Sequence, residues 1–184
     1  HFQGEKMNYE IDRSTYSLVK DPNKCIMCRR CETMCNEVQT VGVLSALDRG
    51  FDTVVGPAFH LDMADTSCTY CGQCVAVCPT GALTEVNDAG RVWRALKNPK
   101  KHVVGQVAPA IRVTIGEMFG MEAGSITTGK LAASLRRLGF DAVFDTDFAA
   151  DLTIVEEASE LVHRIQHGGK LPMLTSCCPA WVKF

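Results

Sequence analysis

The stretch Cys25-Ile26-Met27-Cys28-Arg29-Arg30-Cys31-Glu32-Thr33-Met34-Cys35 has its spacing repeated in Cys68-Thr69-Tyr70-Cys71-Gly72-Gln73-Cys74-Val75-Ala76-Val77-Cys78-Pro79. Eight of the ten cysteines lie in these two runs, so whatever they bind dominates the N-terminal half. A tight loop with a cysteine at every third position wraps three sulfurs around one face of a small inorganic body. The longer x3 step then opens a helix that carries the last cysteine away from it. A [4Fe–4S] cube needs four thiolates, and in a doubled run each half completes the other's site. This assigns Cys25, Cys28, Cys31 and Cys78 to one cluster, and Cys68, Cys71, Cys74 and Cys35 to the other. Zinc favours paired C-x2-C knuckles, which three successive cysteine steps overfill. A disulfide framework suits a small secreted domain rather than a chain with a longer body. Pro79 follows the second run and Asn36 stands in its place after the first. That proline shapes a helix exit and supplies no ligand.

The bulk composition agrees with a soluble globular protein. Of 184 residues 46% are hydrophobic and 22% charged, which permits a core. A net charge of −2 argues for neither nucleic acid nor an anionic membrane as a partner, and none is expected. No stretch approaches the roughly 18 unbroken apolar residues of a membrane span. Oxygen-sensitive clusters point to a cytoplasmic, low-oxygen setting. His1-Phe2-Gln3-Gly4 reads as the remnant of a cleaved tag, so residues 1–7 are set aside as tag and disordered lead.

Working outward from the cysteines, Tyr16 to Val19 predicts an edge strand, and Asp21-Pro22-Asn23 turns the chain into the first loop. Val41 to Ala46 and Phe51 to Val55 flank Asp48-Arg49-Gly50, a hairpin signal. Gly81 to Val86 predicts a closing strand. Beyond Asn87 the pattern changes to alternating helices and strands. A helix capped by Asp88 runs to Leu96, a strand spans Val103 to Val107, and a helix follows from Ile111 to Phe119. A helix from Thr128 stops at Gly139, a strand covers Ala142 to Asp145, and a long helix runs from about Phe148 to His167. Leu171 to Thr175 predicts a last strand. Strands separated by helices imply a parallel sheet, whose functional groups gather at the carboxyl ends of its strands. His60, His102, His163 and His167 read as ordinary packing or surface residues.

Thr175-Ser176-Cys177-Cys178-Pro179-Ala180-Trp181 resembles the first signature of the [FeFe]-hydrogenase catalytic domain, and Gln106-Val107-Ala108-Pro109-Ala110-Ile111-Arg112 resembles a segment beside that family's active site. The doubled cysteine run sits where the family carries accessory ferredoxin-like clusters, and the likeness covers nearly all of residues 15–184. It implies an α+β ferredoxin-like two-[4Fe–4S] domain over residues 8–87, followed over 88–184 by the N-terminal part of an α/β parallel-sheet catalytic domain. The family's active centre, the H-cluster, is a [4Fe–4S] cube bridged by a cysteine sulfur to a diiron site with carbonyl, cyanide and a dithiolate amine. By this resemblance Cys178 is a ligand of the cube and Cys177 the thiol that exchanges a proton with the amine, while Ala108 and Pro109 line the diiron pocket. Glu157, Glu160 and Arg164 share one stripe of the long helix at i, i+3 and i+7. Such a stripe alone reads as a solvated face. The resemblance places it on the family's proton path, where partial burial would raise the carboxylates' pKa toward neutrality.

Of the H-cluster's four cysteine ligands only Cys178 falls within these residues, so the chain by itself is expected to hold two clusters and to be inactive. Its expected function is electron relay through two [4Fe–4S] clusters to a site interconverting protons, electrons and dihydrogen. The expected partners are the remainder of the catalytic domain and a redox partner such as ferredoxin or a flavin/NADH-linked subunit. The alternative is a non-catalytic electron-transfer, sensory or cluster-scaffold module with a hydrogenase-like body.

Overall fold

The computed structural model describes residues 8–183; the tag and lead assigned to residues 1–7 lie outside them. The chain divides into two compact units, one of residues 1–87 with 174–184 and one of residues 88–173.

In the first unit the cysteine loops hang from short strands. β1 (Leu18–Lys20) pairs antiparallel with β4 (Leu83–Glu85), Val19 opposite Thr84, so the entry to the first loop and the exit from the second are tied together. Thr15 fixes the start of β1: its buried hydroxyl donates to Leu18 O and accepts from Leu18 N. Asp21 then accepts from Asn23 N and turns the chain into a 3-10 turn at Pro22–Lys24. The expected hairpin is present as β2 (Ser45–Leu47) against β3 (Val54–Gly56). α1 (Arg30–Thr33) follows the first cysteine loop and α2 (Gln73–Ala76) the second. The core comprises Leu18, Val43, Leu44, Val55, Met63 and Leu83 together with Cys68 and Cys74. Two of the thiols are thus part of the hydrophobic interior.

Asp12 clamps the lead-in to the inter-run loop. Its carboxylate accepts from Met63 N at 2.8 Å and from the Ser14 hydroxyl at 2.6 Å, and its backbone exchanges two hydrogen bonds with Lys20. Burial works against the charge, but the Ser14 and Met63 donors outweigh it and leave the pKa below the usual 3.8.

The second unit carries α3 (Ala89–Leu96), β5 (Val104–Val107), α4 (Ile111–Met118), α5 (Thr128–Leu138), β6 (Ala142–Asp145) and α6 (Thr146–His167). β5 and β6 pair in parallel, Gly105 opposite Val143, with α4 and α5 in the crossover. Gly105 leaves room for the Phe140 ring, which a Cβ there would approach to 3.0 Å. Asp145 caps α6 by accepting from Phe148 N, and Gly139, at φ 105°, ends α5 as the sequence predicts. Two expectations need correction. Asp88 stands at the N-cap position of α3 as expected but makes no side-chain capping bond; its carboxylate pairs instead with Arg91 at 2.9 Å. Residues 171–175 join no ladder among the described residues, and Pro172 has no N–H to offer one. The histidines lie at the surface, His60 beside Asp48 at 3.1 Å and His163 stacked on His167. Among the described residues no helix is long and apolar enough to cross a membrane.

Asp12→Asn should cost about 1–3 kcal/mol, since a carboxylate accepting several hydrogen bonds is replaced by a neutral group that can accept from only part of them. A carboxylate with a depressed folded pKa contributes stability above the unfolded value and loses it only as pH falls through the folded one. The deficit, read from anaerobic urea melts of the cluster-loaded chain, should therefore be equal at pH 8 and pH 5; a deficit that shrinks between them would contradict the hydrogen-bonded carboxylate.

Candidate iron–sulfur centres

The two cysteine loops adopt one backbone course twice. In the first, Met27 and Arg29 have φ of 57° and 60°; in the second, Tyr70 and Gly72, at the same places, have 57° and 74°. The left-handed turn after the middle cysteine redirects the chain into α1 or α2. Glycine takes it without strain at position 72. Arg29 takes it with its guanidinium forked onto Glu32 at 2.6 and 2.7 Å.

Each helix carries its last cysteine to the opposite loop. One cavity is walled by Cys25, Cys28, Cys31 and Cys78, with Leu44, Val55 and Leu83 around them. A second is walled by Cys35, Cys68, Cys71 and Cys74, with Leu18, Val43 and Met63. Electrostatics follows the grouping, except that Cys31 of the first cavity also acts on Cys74. The thiols acting through space on Cys31 are Cys25, Cys78 and Cys28; those acting on Cys74 are Cys68, Cys71, Cys31 and Cys35. Cys35 lies in a π-helical turn, Met34–Val38, that continues α1 with a wider backbone loop.

The thiols differ in their readiness to ionise. Burial pushes Cys31 up to about 11 and Cys74 up to about 12, with neighbouring sulfurs adding to the rise. Both remain protonated at neutral pH until a positive centre takes the proton's place, as a coordinated metal does. Cys78 goes the other way. Burial opposes its charge, but the N–H groups of Leu83, Thr80 and Ala82 and the Thr80 hydroxyl prevail and lower its pKa. Cys35, the other crossing cysteine, accepts from Val43 N at 3.4 Å, and Cys25 accepts from Met27 N at 3.4 Å. All ten cysteines are free thiols. Four sulfurs around each apolar cavity, with N–H donors aimed at the crossing pair, fit a thiolate-ligated iron–sulfur group in each.

The remaining site residues stand elsewhere. Cys177 and Cys178 are exposed just before α7 (Pro179–Lys183), and the Ser176 hydroxyl accepts from Cys178 N at 3.0 Å. Ala108 and Pro109 are exposed at the carboxyl end of β5, beside the start of α4. Glu157 and Arg164 are half-buried on α6 and Glu160 is exposed. Glu160 meets Arg164 at 2.6 Å, and the guanidinium holds its carboxyl below the ordinary range. In this chain, then, Glu160 experiences an ion pair in solvent rather than the raising effect of burial expected from sequence.

Residues 24–82 match the model of the 4Fe–4S dicluster domain, and residues 101–184 that of the iron only hydrogenase large subunit, C-terminal domain. The chain belongs to the iron-only hydrogenase family. It is 60% identical to the NADP-reducing hydrogenase subunit HndD of Solidesulfovibrio fructosivorans, over 98% of this chain and 32% of that protein. It is 44% identical to iron hydrogenase 1 of Clostridium pasteurianum, over 97% of this chain and 31% of that protein. The chain thus spans about a third of the length of these relatives. The solved apo [FeFe]-hydrogenase HydA1 of Chlamydomonas reinhardtii is 50% identical over 53% of this chain and 26% of that one, with a TM-score of 0.43. The dicluster match makes the doubled cysteine run of this chain a 4Fe–4S dicluster module.

Gly72→Ala isolates the loop geometry, because nothing lies within 4 Å of the added Cβ and only the left-handed backbone resists it. Anaerobic melts of the cluster-loaded chain should show a loss of about 1–2 kcal/mol, and Gly72→Asn, which tolerates this conformation better, should lose less.

Proposed function

We propose that this chain is the electron-input portion of an [FeFe]-hydrogenase, holding one [4Fe–4S] cluster in each four-cysteine cavity. The observation that carries this reading is that each cavity is walled by three cysteines of its own run and the last cysteine of the other. Cys25, Cys28, Cys31 and Cys78 would hold one cluster, and Cys68, Cys71, Cys74 and Cys35 the other. When bound, such a cluster supplies reversible one-electron storage at a potential set by its surroundings. The chain's residues do the rest. Leu44, Val55 and Leu83 around one site, and Leu18, Val43 and Met63 around the other, set apolar side chains against the sulfurs, while Cys28 and Cys71 stay exposed. The N–H groups of Val43 and Leu83 steady the thiolates of Cys35 and Cys78. The β1–β4 pairing and the repeated loop conformation support a ferredoxin-like fold for residues 8–87.

Residues 88–184 are the first part of the catalytic domain under this reading. Cys178 is then a ligand of the active-site cube, Cys177 holds a transferable proton at its Sγ, and Ala108 and Pro109 line the diiron pocket. Glu157, Glu160 and Arg164 form the proton route along α6. Support for a larger domain comes from the apolar residues left in solvent on α6, including Ile154 (65% exposed), Val155 (61%) and Ile165 (64%). Packing further layers on this helix would desolvate Glu160 and oppose the lowering that Arg164 imposes. Dihydrogen turnover, in a cytoplasmic setting with a ferredoxin or flavin/NADH-linked electron partner, would then require the rest of the catalytic domain.

Paired cysteine substitutions test the exchange of ligands. Anaerobic reconstitution should load about eight irons into the native chain, about four into Cys35→Ala combined with Cys71→Ala, and almost none into Cys35→Ala combined with Cys28→Ala. Pairing within each run would reverse the last two results. Infrared bands of iron-bound carbonyl and cyanide in the complete protein would separate a hydrogenase from a cluster scaffold.

A further inference from the structure

The two cavities differ in charge. The second has no Lys, Arg, Asp or Glu in its wall, whereas the first has Lys20 and Arg29. Arg29 is neutralised by its fork onto Glu32. Lys20 is not neutralised in this way: its ammonium makes no hydrogen bond or salt bridge among the described residues, and Asp12 and Asp62 act on it only through space.

Its position is tightly set. Lys20 ends β1 opposite Leu83, its N–H and C=O bond the backbone of Asp12 at 3.0 and 2.9 Å, and its side chain lies across Gly56. A Cβ on Gly56 would come within 2.8 Å of Nζ, so glycine there makes room for the ammonium. Burial works against the charge of Lys20, while Asp12, Asp62, Cys25 and Cys31 work for it. Two of those four are sulfurs of the first cavity. A half-buried cation whose carboxylate neighbours Asp12 and Asp62 act only through space, in the wall of a cavity lined by four thiols, stands where it also acts on charge inside that cavity.

We propose that Lys20 is a positioning residue for electrons: its ammonium raises the reduction potential of the cluster held by Cys25, Cys28, Cys31 and Cys78 above that of its neighbour, so an incoming electron settles there first. The inference rests on the cysteine grouping of the proposed function. Reduction adds one electron, taken from an external reductant such as dithionite, and one negative charge; no bond forms or breaks. The added charge is stabilised more strongly beside the cation than in the uncharged second cavity, in a medium of low dielectric where the difference is only weakly screened.

The test is an anaerobic redox titration followed by electron paramagnetic resonance on the reconstituted chain carrying Lys20→Gln or Lys20→Arg. With about eight irons bound, Lys20→Gln should shift one of the two reduction equilibria about tenfold toward the oxidised form, about 59 mV for one electron, and the other much less. Lys20→Arg should keep both native values. A Cys71→Ala background identifies the site, since the remaining cluster there is the one beside Lys20 and its potential should fall on Lys20→Gln. Native potentials at both sites in Lys20→Gln, or equal shifts at both, overturn the proposal. Should Lys20→Gln fail to load, full loading and native potentials in Lys20→Arg support a role of charge, and failure of both variants overturns it. Loss of all iron in the Cys71→Ala background would indict the cysteine grouping instead.

Discussion

The first unit depends on the exchange of one thiol between two loops. Three cysteines on a tight loop leave a cube one ligand short, and the only economical source of a fourth is a neighbour with the same deficit. The chain meets this by following each loop with a short helix aimed at the other, so Cys35 and Cys78 cross in opposite directions. Neither cavity has its full wall unless both helices are placed. This couples the two sites to one fold, and it explains why the strands serve mainly to tie ends together: β1 with β4 at the entry and exit, β2 with β3 in between.

The same constraint shapes the core. Cys68 and Cys74 belong to the hydrophobic interior, beside Leu18, Val43, Leu44 and Met63. Burial that protects a sulfur from water also resists its ionisation, as the raised pKa values of Cys31 and Cys74 express. Binding of a positive centre must overcome that resistance, which makes assembly of the centres and consolidation of the core a single linked process. Backbone N–H groups reach both crossing cysteines, Cys35 and Cys78, as one reaches Cys25, and at Cys78 these donors lower the pKa against the opposing effect of burial.

Much of this was legible in the chain. Cysteine spacing is a covalent property, and it was enough to group the eight thiols that the structure gathers around two cavities. The helix end marked by Gly139 was equally local and appears where expected. What escaped was set by tertiary context. Arginine carries no signal for a left-handed turn, so the equivalence of Arg29 with Gly72 became visible only in the backbone angles. The strand expected over residues 171–175 rested on apolar composition, and Pro172 withholds a donor that a ladder would need. Glu160 and Arg164 were read as two members of a stripe, whereas their i, i+4 spacing let them satisfy each other. Lys20 gave no sign at all, because its neighbours Gly56, Asp12 and Asp62 come from separate segments.

The two units also differ in how fully they satisfy the hydrophobic effect. The first buries Leu18, Leu44 and Met63 almost completely around its thiol-lined cavities. In the second, the buried residues among those described are Gly105, Gly116 and Thr127, while Phe148, Leu152 and Ile154 of α6 remain in water. A parallel pair of strands with helices beside it has apolar surface on more faces than two strands and four helices can cover. The first unit therefore has a core centred on its thiol-lined cavities, whereas the electrostatics of the second, including the pairing of Glu160 with Arg164, belong to a helix still in contact with solvent. Any layer that covers α6 would desolvate Glu160, so the charge balance on this helix depends on what packs against it, while the four-sulfur arrangement of each cavity is already complete in the first unit.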